Sequence, residues 1–338
     1  MISPSLKLTF IPGLKDIVLN EIADYVNLRV IETGEQEVYL DFIPEIETLK
    51  KLRSILNVYV VKRSDTLHPL YISNHKSVLG DLIEMVVRGN EKMFRTFKLS
   101  CAGDDSKEVS DIKKFITTTY KVTVAEDADL EIYIGKIGDL WEMGVRLTTR
   151  PLSLREYKVA NIKGGLNPTI AYAMNTFCDL DKAESYLNIF SGSATLLIEA
   201  GLSNPSIKLL GFDINGKTNA SAVENIKKAG LIKSIQLRTA DIFGKPALGI
   251  VDVIASDLPF GMQISKGEDL EKLYGCFLEY CGETLNTKGV LVMYTTEHEL
   301  LTKLLRSSKF TTEKVLDLKI STSVGGYIYP KIFVCKFK

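Results

Sequence analysis

No two of the five cysteines form a CxxC pair; Cys101, Cys178, Cys276, Cys281 and Cys335 are scattered over 338 residues. An odd number at such spacing speaks against a disulfide framework and against a thiolate zinc site, so no metal is expected. No apolar run reaches the roughly 20 residues that cross a bilayer, so no membrane association is expected. Met1 to Phe10 lacks the basic start, long apolar core and small-residue cleavage site of a signal peptide. A reducing cytoplasm is the expected location. Neither sign of charge is in excess, Lys+Arg and Asp+Glu being 42 each. Net charge therefore says nothing for a polyanionic partner, although a local basic face could still provide for one. Internal repeats and low-complexity stretches are also missing. What is present is 45% hydrophobic and 25% charged residues, the composition of a soluble globular chain long enough for two domains.

The first part mixes short strands and helices. Leu6 to Ile11 reads as a strand, Pro12-Gly13 as a turn and Leu14 to Tyr25 as an amphipathic helix. Strands follow at Leu28 to Ile31 and Glu37 to Phe42, then a helix at Ile46 to Leu56 and a strand at Val58 to Arg63. This βαββαβ order predicts a ferredoxin-like domain over residues 1–65. Residues 66–149 predict a second α+β module, with helices at Lys76 to Val87 and Glu108 to Tyr120. Its strands are Thr96 to Ala102, Leu130 to Ile134 and Leu140 to Leu147. Residues 150–165, with Arg150, Pro151, Arg155, Tyr157 and Gly164-Gly165, read as a linker. Over residues 166–338 very apolar strands alternate with helices. The strands are Leu187 to Phe190, Leu209 to Asp213, Ile235 to Thr239, Val251 to Ser256 and Gly289 to Tyr294. Strands buried on both faces predict an α/β, Rossmann-like parallel sheet. Leu318 to Ser323 and Ile328 to Phe337 flank Gly325-Gly326 and predict a closing antiparallel hairpin.

Four clusters fall at the carboxyl ends of these strands, where open α/β sheets bind ligands. Asn188 to Glu199 runs strand, small-residue turn, helix; Gly192 would let backbone approach a ligand, although a bare tight turn looks the same. Asp213 lies 21 residues after Gly192, the spacing at which a second-strand carboxylate reaches ribose hydroxyls. GxGxxG is absent, which disfavours a dinucleotide pyrophosphate at the helix start. A cofactor with a ribose and no phosphate suits better, and S-adenosylmethionine (SAM) is one. Asp241 could accept from an adenine amino group beside the apolar Ile242-Phe243. It could equally be a plain turn aspartate. The fourth cluster, Asp257-Leu258-Pro259-Phe260-Gly261, delivers an acid, a rigid proline, an aromatic and a glycine. The exocyclic amine of a nucleobase is a poor nucleophile because its lone pair is delocalised. Asp257 and the Leu258 carbonyl could accept its N–H groups, Pro259 stiffen the loop and Phe260 stack on the base.

With these clusters the chain resembles a known family. Residues from about 150 to 338 look like the class I SAM methyltransferases of the RNA guanine-N2 group, through Arg155 to Ala171, Asn188 to Glu199, Gly211 to Asn225, Ala240 to Phe243 and Asp257 to Gly261. The first 150 residues resemble, more loosely, the ferredoxin-like plus THUMP pair of tRNA-modifying members. The resemblance implies that Asn188, Phe190, Gly192 and Thr195 line the SAM loop. Asp213 with Ile214 would meet the ribose, and Asp241 with Ile242 or Phe243 the adenine. Asn167 and Pro168 would lie near the methionine end, and Asp257, Leu258, Pro259 and Phe260 would hold the target base. Two positions depart from the family pattern: Ala194 replaces a glycine, and Asn188 an acid. The expected protein is a monomeric tRNA guanine-N2 methyltransferase acting near the acceptor stem. Methylation of rRNA guanine or of adenine N6, and a catalytically silent RNA-binding homologue, stay open.

Overall fold

The computed structural model describes residues 4–25, 27–41, 46–65, 72–89, 91–103, 106–162, 164–260, 269–322 and 325–338. They form two compact units. The first takes residues up to Phe10 and Val18–Ser153, the second Ile11–Ile17 and Leu154–Lys338.

The first unit contains β1 (Ser5–Phe10), α1 (Lys15–Ala23), β2 (Val30–Thr33), β3 (Glu37–Asp41), α2 (Ile46–Lys50) and β4 (Ile55–Ser64). It continues with α3 (Ile72–Val87), β5 (Thr96–Cys101), α4 (Lys107–Tyr120), β6 (Thr123–Val124), β7 (Leu130–Ile137) and β8 (Leu140–Arg146). All eight strands join one sheet in the order β2-β3-β1-β4-β8-β7-β5-β6. The two modules read from the sequence therefore share a sheet, joined by β4 and β8 from Tyr59↔Arg146 to Ser64↔Trp141. Alternate residues such as Leu6, Leu8, Val58, Val60, Leu130, Ile132, Met143 and Val145 point into one core with Leu82, Ile83, Val109 and Ile112 of the helices, as the two-residue strand period requires. The helix expected over Ile46 to Leu56 stops early. The Glu21 carboxylate accepts the N–H groups of Arg53 (2.7 Å) and Ser54 (2.9 Å), which turns the chain into β4.

The second unit contains α5 (Pro168–Asn175), β9 (Ser185–Ile189), α6 (Thr195–Ser203), β10 (Lys208–Asp213), α7 (Gly216–Lys228), β11 (Ile235–Thr239) and β12 (Val251–Asp257). After these come α8 (Leu270–Thr284), β13 (Leu285–Thr295), α9 (His298–Ser307), β14 (Phe310–Asp317), β15 (Ile320–Ser321), β16 (Tyr327–Ile328) and β17 (Lys331–Phe337). The seven-stranded sheet runs β11-β10-β9-β12-β13-β17-β14. β9 to β13 are parallel and β17 runs against β13 and β14. The closing antiparallel pair is thus β14 with β17, while residues 318–322 supply the short β15, paired with β16; Ser323 lies outside the described residues. β14 shows most of its side chains to solvent, so hydrophobic patterning passes it over.

Two segments group differently from their expected places. Ile11–Ile17 belongs with the second unit, where Pro12 O accepts the Lys319 N–H at 3.3 Å. Gly13 lies so close to β14 that an added Cβ would sit 2.1 Å from Asp317 O. Residues 154–165, expected as linker, also belong to the second unit. Among the described residues no helix is long and apolar enough to cross a membrane.

Candidate cofactor and substrate site

Strand order reverses between β9 and β12, and ligand crevices of open parallel sheets lie at that switch point, beyond the carboxyl ends of the strands. Register brings the sequence clusters to this one edge. Gly211 pairs with Asn188, Asp213 with Thr239, Ile254 with Leu187 and Asp257 with Tyr294. The loop after β9, the residues after β10 and β11, and Asp257 all leave the sheet here.

The loop after β9 is held in an unusual shape. Phe190, Gly192 and Ala194 have φ of 62°, 50° and 61°. Gly192 accepts this freely, whereas for the other two a left-handed backbone costs roughly 1–2 kcal/mol each. Ala194 N-caps α6 with its side chain fully buried, so the position where the family has glycine is one whose backbone favours it. Hydrogen bonds impose the shape: Ser191 N–H to Phe212 O (2.7 Å), Ala194 N–H to Ser191 O (2.8 Å) and Gly192 N–H to Asp213 Oδ2 (2.9 Å). Strain held by its surroundings is typical of ligand sites.

Asp213 is half-buried. Its Oδ1 accepts the Asn215 N–H at 2.8 Å. Each carboxylate oxygen keeps a further lone pair for an incoming hydroxyl. Ile214 beside it is 67% exposed, and Phe243 on the next strand end is 48% exposed with Lys272 Nζ 5.4 Å from its ring. Asp241 caps the single 3-10 turn Ile242–Gly244 through the Phe243 N–H (3.0 Å), and Ile242 is buried in the core.

Other predicted residues shape the backbone. Asn188 is buried and donates to Ala255 O (2.9 Å), tying β9 to β12. The Phe190 ring packs 5.8 Å from Phe277, against the core of the second unit. Thr195 is buried against Ser193 Oγ at 2.8 Å. Asn167 N-caps α5 through the Thr169 N–H (2.8 Å), with Pro168 in the first turn.

Asp257 ends β12. Its Oδ1 is buried with no hydrogen-bond partner. Burial pushes the carboxyl up to about 7, against the pull of the Lys158 ammonium. Leu258 N–H donates to Tyr294 O (2.9 Å), and its side chain is fully buried. Pro259 O accepts the Tyr274 hydroxyl at 2.8 Å, and Tyr274 also bonds Thr295 Oγ1. The loop is thus braced from α8, and Phe260 stays half-buried. Gly261 lies outside the described residues. Ser191 Oγ, Ser256 Oγ and Thr169 Oγ1 are also buried without partners. A nucleoside with a polar amino-acid end fits this set: orphaned acceptors and donors, exposed Ile214 and Phe243, and a loop with no Cβ at Gly192.

The segment Arg155–Leu166, read as linker from its residues and matched to the family only as part of Arg155 to Ala171, is tied to α6 and α7 here. Tyr157 Oη donates to Glu199 Oε1 (2.7 Å), and Arg155 Nε reaches the same oxygen at 3.2 Å. Asn225 bonds Ala160 N–H (2.8 Å) and Ala160 O (3.0 Å). Its described residues form no regular element and so have no periodicity to read; the family resemblance through Arg155 to Ala171 was the one signal for it.

The sheet order and its reversal define a Rossmann-like, class I methyltransferase fold. The family profile described as "RMKL-like, methyltransferase domain" matches residues 155–324, and the chain belongs to that family. The U6 snRNA (guanine-N(2))-methyltransferase THUMPD2 of Bos taurus is 30% identical over 172 residues, covering 50% of this chain and 32% of that protein. The chain thus spans about a third of that relative's length. The tRNA (guanine(6)-N2)-methyltransferase of Archaeoglobus fulgidus is 22% identical over 333 residues, covering 86% of this chain and 83% of that one. Among solved structures, TrmN from Thermus thermophilus superposes with a TM-score of 0.80 at 23% identity, covering 99% of this chain and all of that one. SMU.472, crystallised with SAH, gives 0.71 at 15% identity, covering 100% and 99% of the two chains.

Proposed function

We propose that the protein is a SAM-dependent RNA methyltransferase that forms N2-methylguanosine in tRNA, in the acceptor-stem region. The observation that carries this is Asp257: a half-buried residue whose Oδ1 is buried and unpartnered at the switch point, followed by a loop that Tyr274 braces at Pro259 O, and placed at the same edge as Asp213. Relatives named as guanine-N2 methyltransferases of tRNA and U6 snRNA support the choice of base.

SAM, when bound, supplies a methyl group on a sulfonium whose leaving group is a neutral thioether. The chain's part is to bind, orient and hold a proton. Asp213 would receive the ribose hydroxyls on its remaining lone pairs, Ile214 and Phe243 would cover the adenine, and Asp241 would accept from its amine. Asp257 accepts an N–H of the guanine amine, fixes its direction and takes the proton that the nitrogen sheds as its bond to the methyl carbon forms. The base must first leave its helix, at a cost of a few kcal/mol, which stacking on Phe260 partly offsets. Residues 1–65 and 66–149 are read as a ferredoxin-like domain and a THUMP domain that supply RNA affinity. We read the protein as a cytoplasmic monomer that needs no metal.

Asp213→Ala is expected to weaken SAM binding by roughly 1–3 kcal/mol, the scale of a hydrogen bond to a charged group. Calorimetry gives this directly, and an unchanged affinity contradicts the cofactor assignment. The function itself is tested by incubating the full chain with methyl-labelled SAM and unmodified tRNA transcripts. Label in the RNA is expected, and SAM binding with no transfer to any RNA would leave a silent homologue. A truncation starting near Pro151 is a poor test, because it removes Ile11–Ile17 from the second unit.

A further inference from the structure

We infer that Lys158 is a positioning residue for the transfer step: clamped by the segment Arg155–Leu166, its ammonium stands at the rim of the β9 loop as the positive charge that opposes Asp257 when the amine arrives. The inference rests on the role proposed for Asp257.

The clamp has no helix or strand to fix it, so side chains do so. On one side of Lys158, Tyr157 is tied to Glu199 of α6. On the other, Ala160 is tied by both backbone groups to Asn225 of α7, whose Nδ2 also reaches Ser193 O at 3.3 Å in the β9 loop. Glu199 and Asn225 are fully buried. Lys158 N–H donates to Arg155 O at 3.0 Å, which closes a turn around the residue. The backbone is thus held on both sides, and the far end of the side chain is held as well. Lys158 Nζ donates to Leu166 O at 2.7 Å. A Cβ on Gly165 would lie 3.8 Å from Nζ and 3.4 Å from Ser193 Oγ, which puts the ammonium at the rim of the β9 loop. An ammonium has three donors, so two remain for this side of the crevice.

Asp257 needs such a neighbour. Its Oδ1 is buried and unpartnered, and an isolated buried carboxylate takes up a proton rather than stay charged. Among the described residues the charged group found to oppose this is Lys158. Tyr274 of α8 and Tyr294 of β13 also face Asp257, and both stay neutral because burial raises their hydroxyls. From α6, Glu199 faces Lys158, but its charge is shared with Arg155 and Tyr157. A protonated Asp257 could neither take the amine's proton nor accept its N–H as strongly. Removing the ammonium should therefore act through the proton balance of Asp257 and not through SAM binding.

The test is the pH dependence of methyl transfer to an unmodified tRNA transcript at saturating SAM, for the full-length wild type, Lys158→Met, Lys158→Arg and Asp257→Asn. Wild-type rate is expected to rise with pH through a midpoint near 7. In Lys158→Met that midpoint should move up by about one unit or more, since one unit is a tenfold change in the ionised fraction. The variant then loses roughly fivefold or more at pH 7, where the wild type is itself half ionised, about tenfold or more well below pH 6, and recovers by about pH 9, with SAM affinity within about twofold of wild type. Lys158→Arg should restore the wild-type midpoint. A Lys158→Met loss that is equal at every pH, or an unmoved midpoint, overturns the inference. If Asp257→Asn keeps the wild-type acid limb, the fault lies in the role given to Asp257 itself.

Discussion

Asp257→Ala should lower turnover by about 10²–10⁴-fold, the range for loss of a positioned proton acceptor, with SAM affinity nearly unchanged. The carboxylate ends β12 at the switch point, Tyr274 holds the following loop from behind, and Oδ1 has no other task in the fold. Alanine removes the orienting acceptor and the proton acceptor together. Asp257→Asn separates them, because the amide keeps an oxygen at the same place without the charge. Substantial residual activity in the amide variant would assign the main effect to orientation. Phe260→Ala should fall short of either, costing the roughly 1–3 kcal/mol of one stacked base. Single-turnover kinetics with calorimetry for SAM checks all three, and wild-type rates in both alanine variants contradict the site. Stability should move the opposite way. The folded carboxyl, at about 7, lies above its ordinary value, so the linked stability is fully present at pH below the ordinary carboxylate range and is lost as pH rises through about 7. Asp257→Asn should therefore raise the melting temperature more at pH 8 than at pH 5.

Glu199→Ala should be the most damaging change away from the crevice. The carboxylate is fully buried on α6 and receives Tyr157 Oη and Arg155 Nε. Removing one partner of a buried ion pair strands the other, at about 3–5 kcal/mol. For a unit of this size that lowers its melting temperature by roughly 10 °C. It also frees the segment that carries Lys158, so activity at a temperature where the variant is folded should fall as well. Thermal unfolding followed with and without SAM tests this. A melting point within a degree or two of wild type would mean that the segment is held by other contacts.

What was legible in the sequence follows from the physics of each element. Buried strands of a parallel sheet are continuous apolar runs, so β9, β10, β12 and β13 stood out, and the residues that follow them, including Asp213 and Asp257, arrived at one edge as expected. Roles carried by side-chain direction were less legible: Phe190 turns its ring to Phe277 and Asn188 spends its amide on Ala255. β14 was hidden because an edge strand with exposed polar residues has no apolar period. The early end of α2 depends on Glu21, a residue 32 positions from Arg53. Likewise, the placement of Ile11–Ile17 against β14 and of Arg155–Leu166 over the β9 loop is set by tertiary contacts that no local pattern announces. Lys158 is a case of this kind: as a letter in the sequence it is one lysine among many.

The methyl acceptor proposed for this protein is the exocyclic amine of guanine. Digesting tRNA treated with the full chain and SAM to nucleosides, and identifying the methylated one by mass and retention, tests it most directly. N2-methylguanosine is the expected product, absent from RNA treated with Asp257→Ala. N6-methyladenosine in its place would contradict the choice of base while leaving the fold intact.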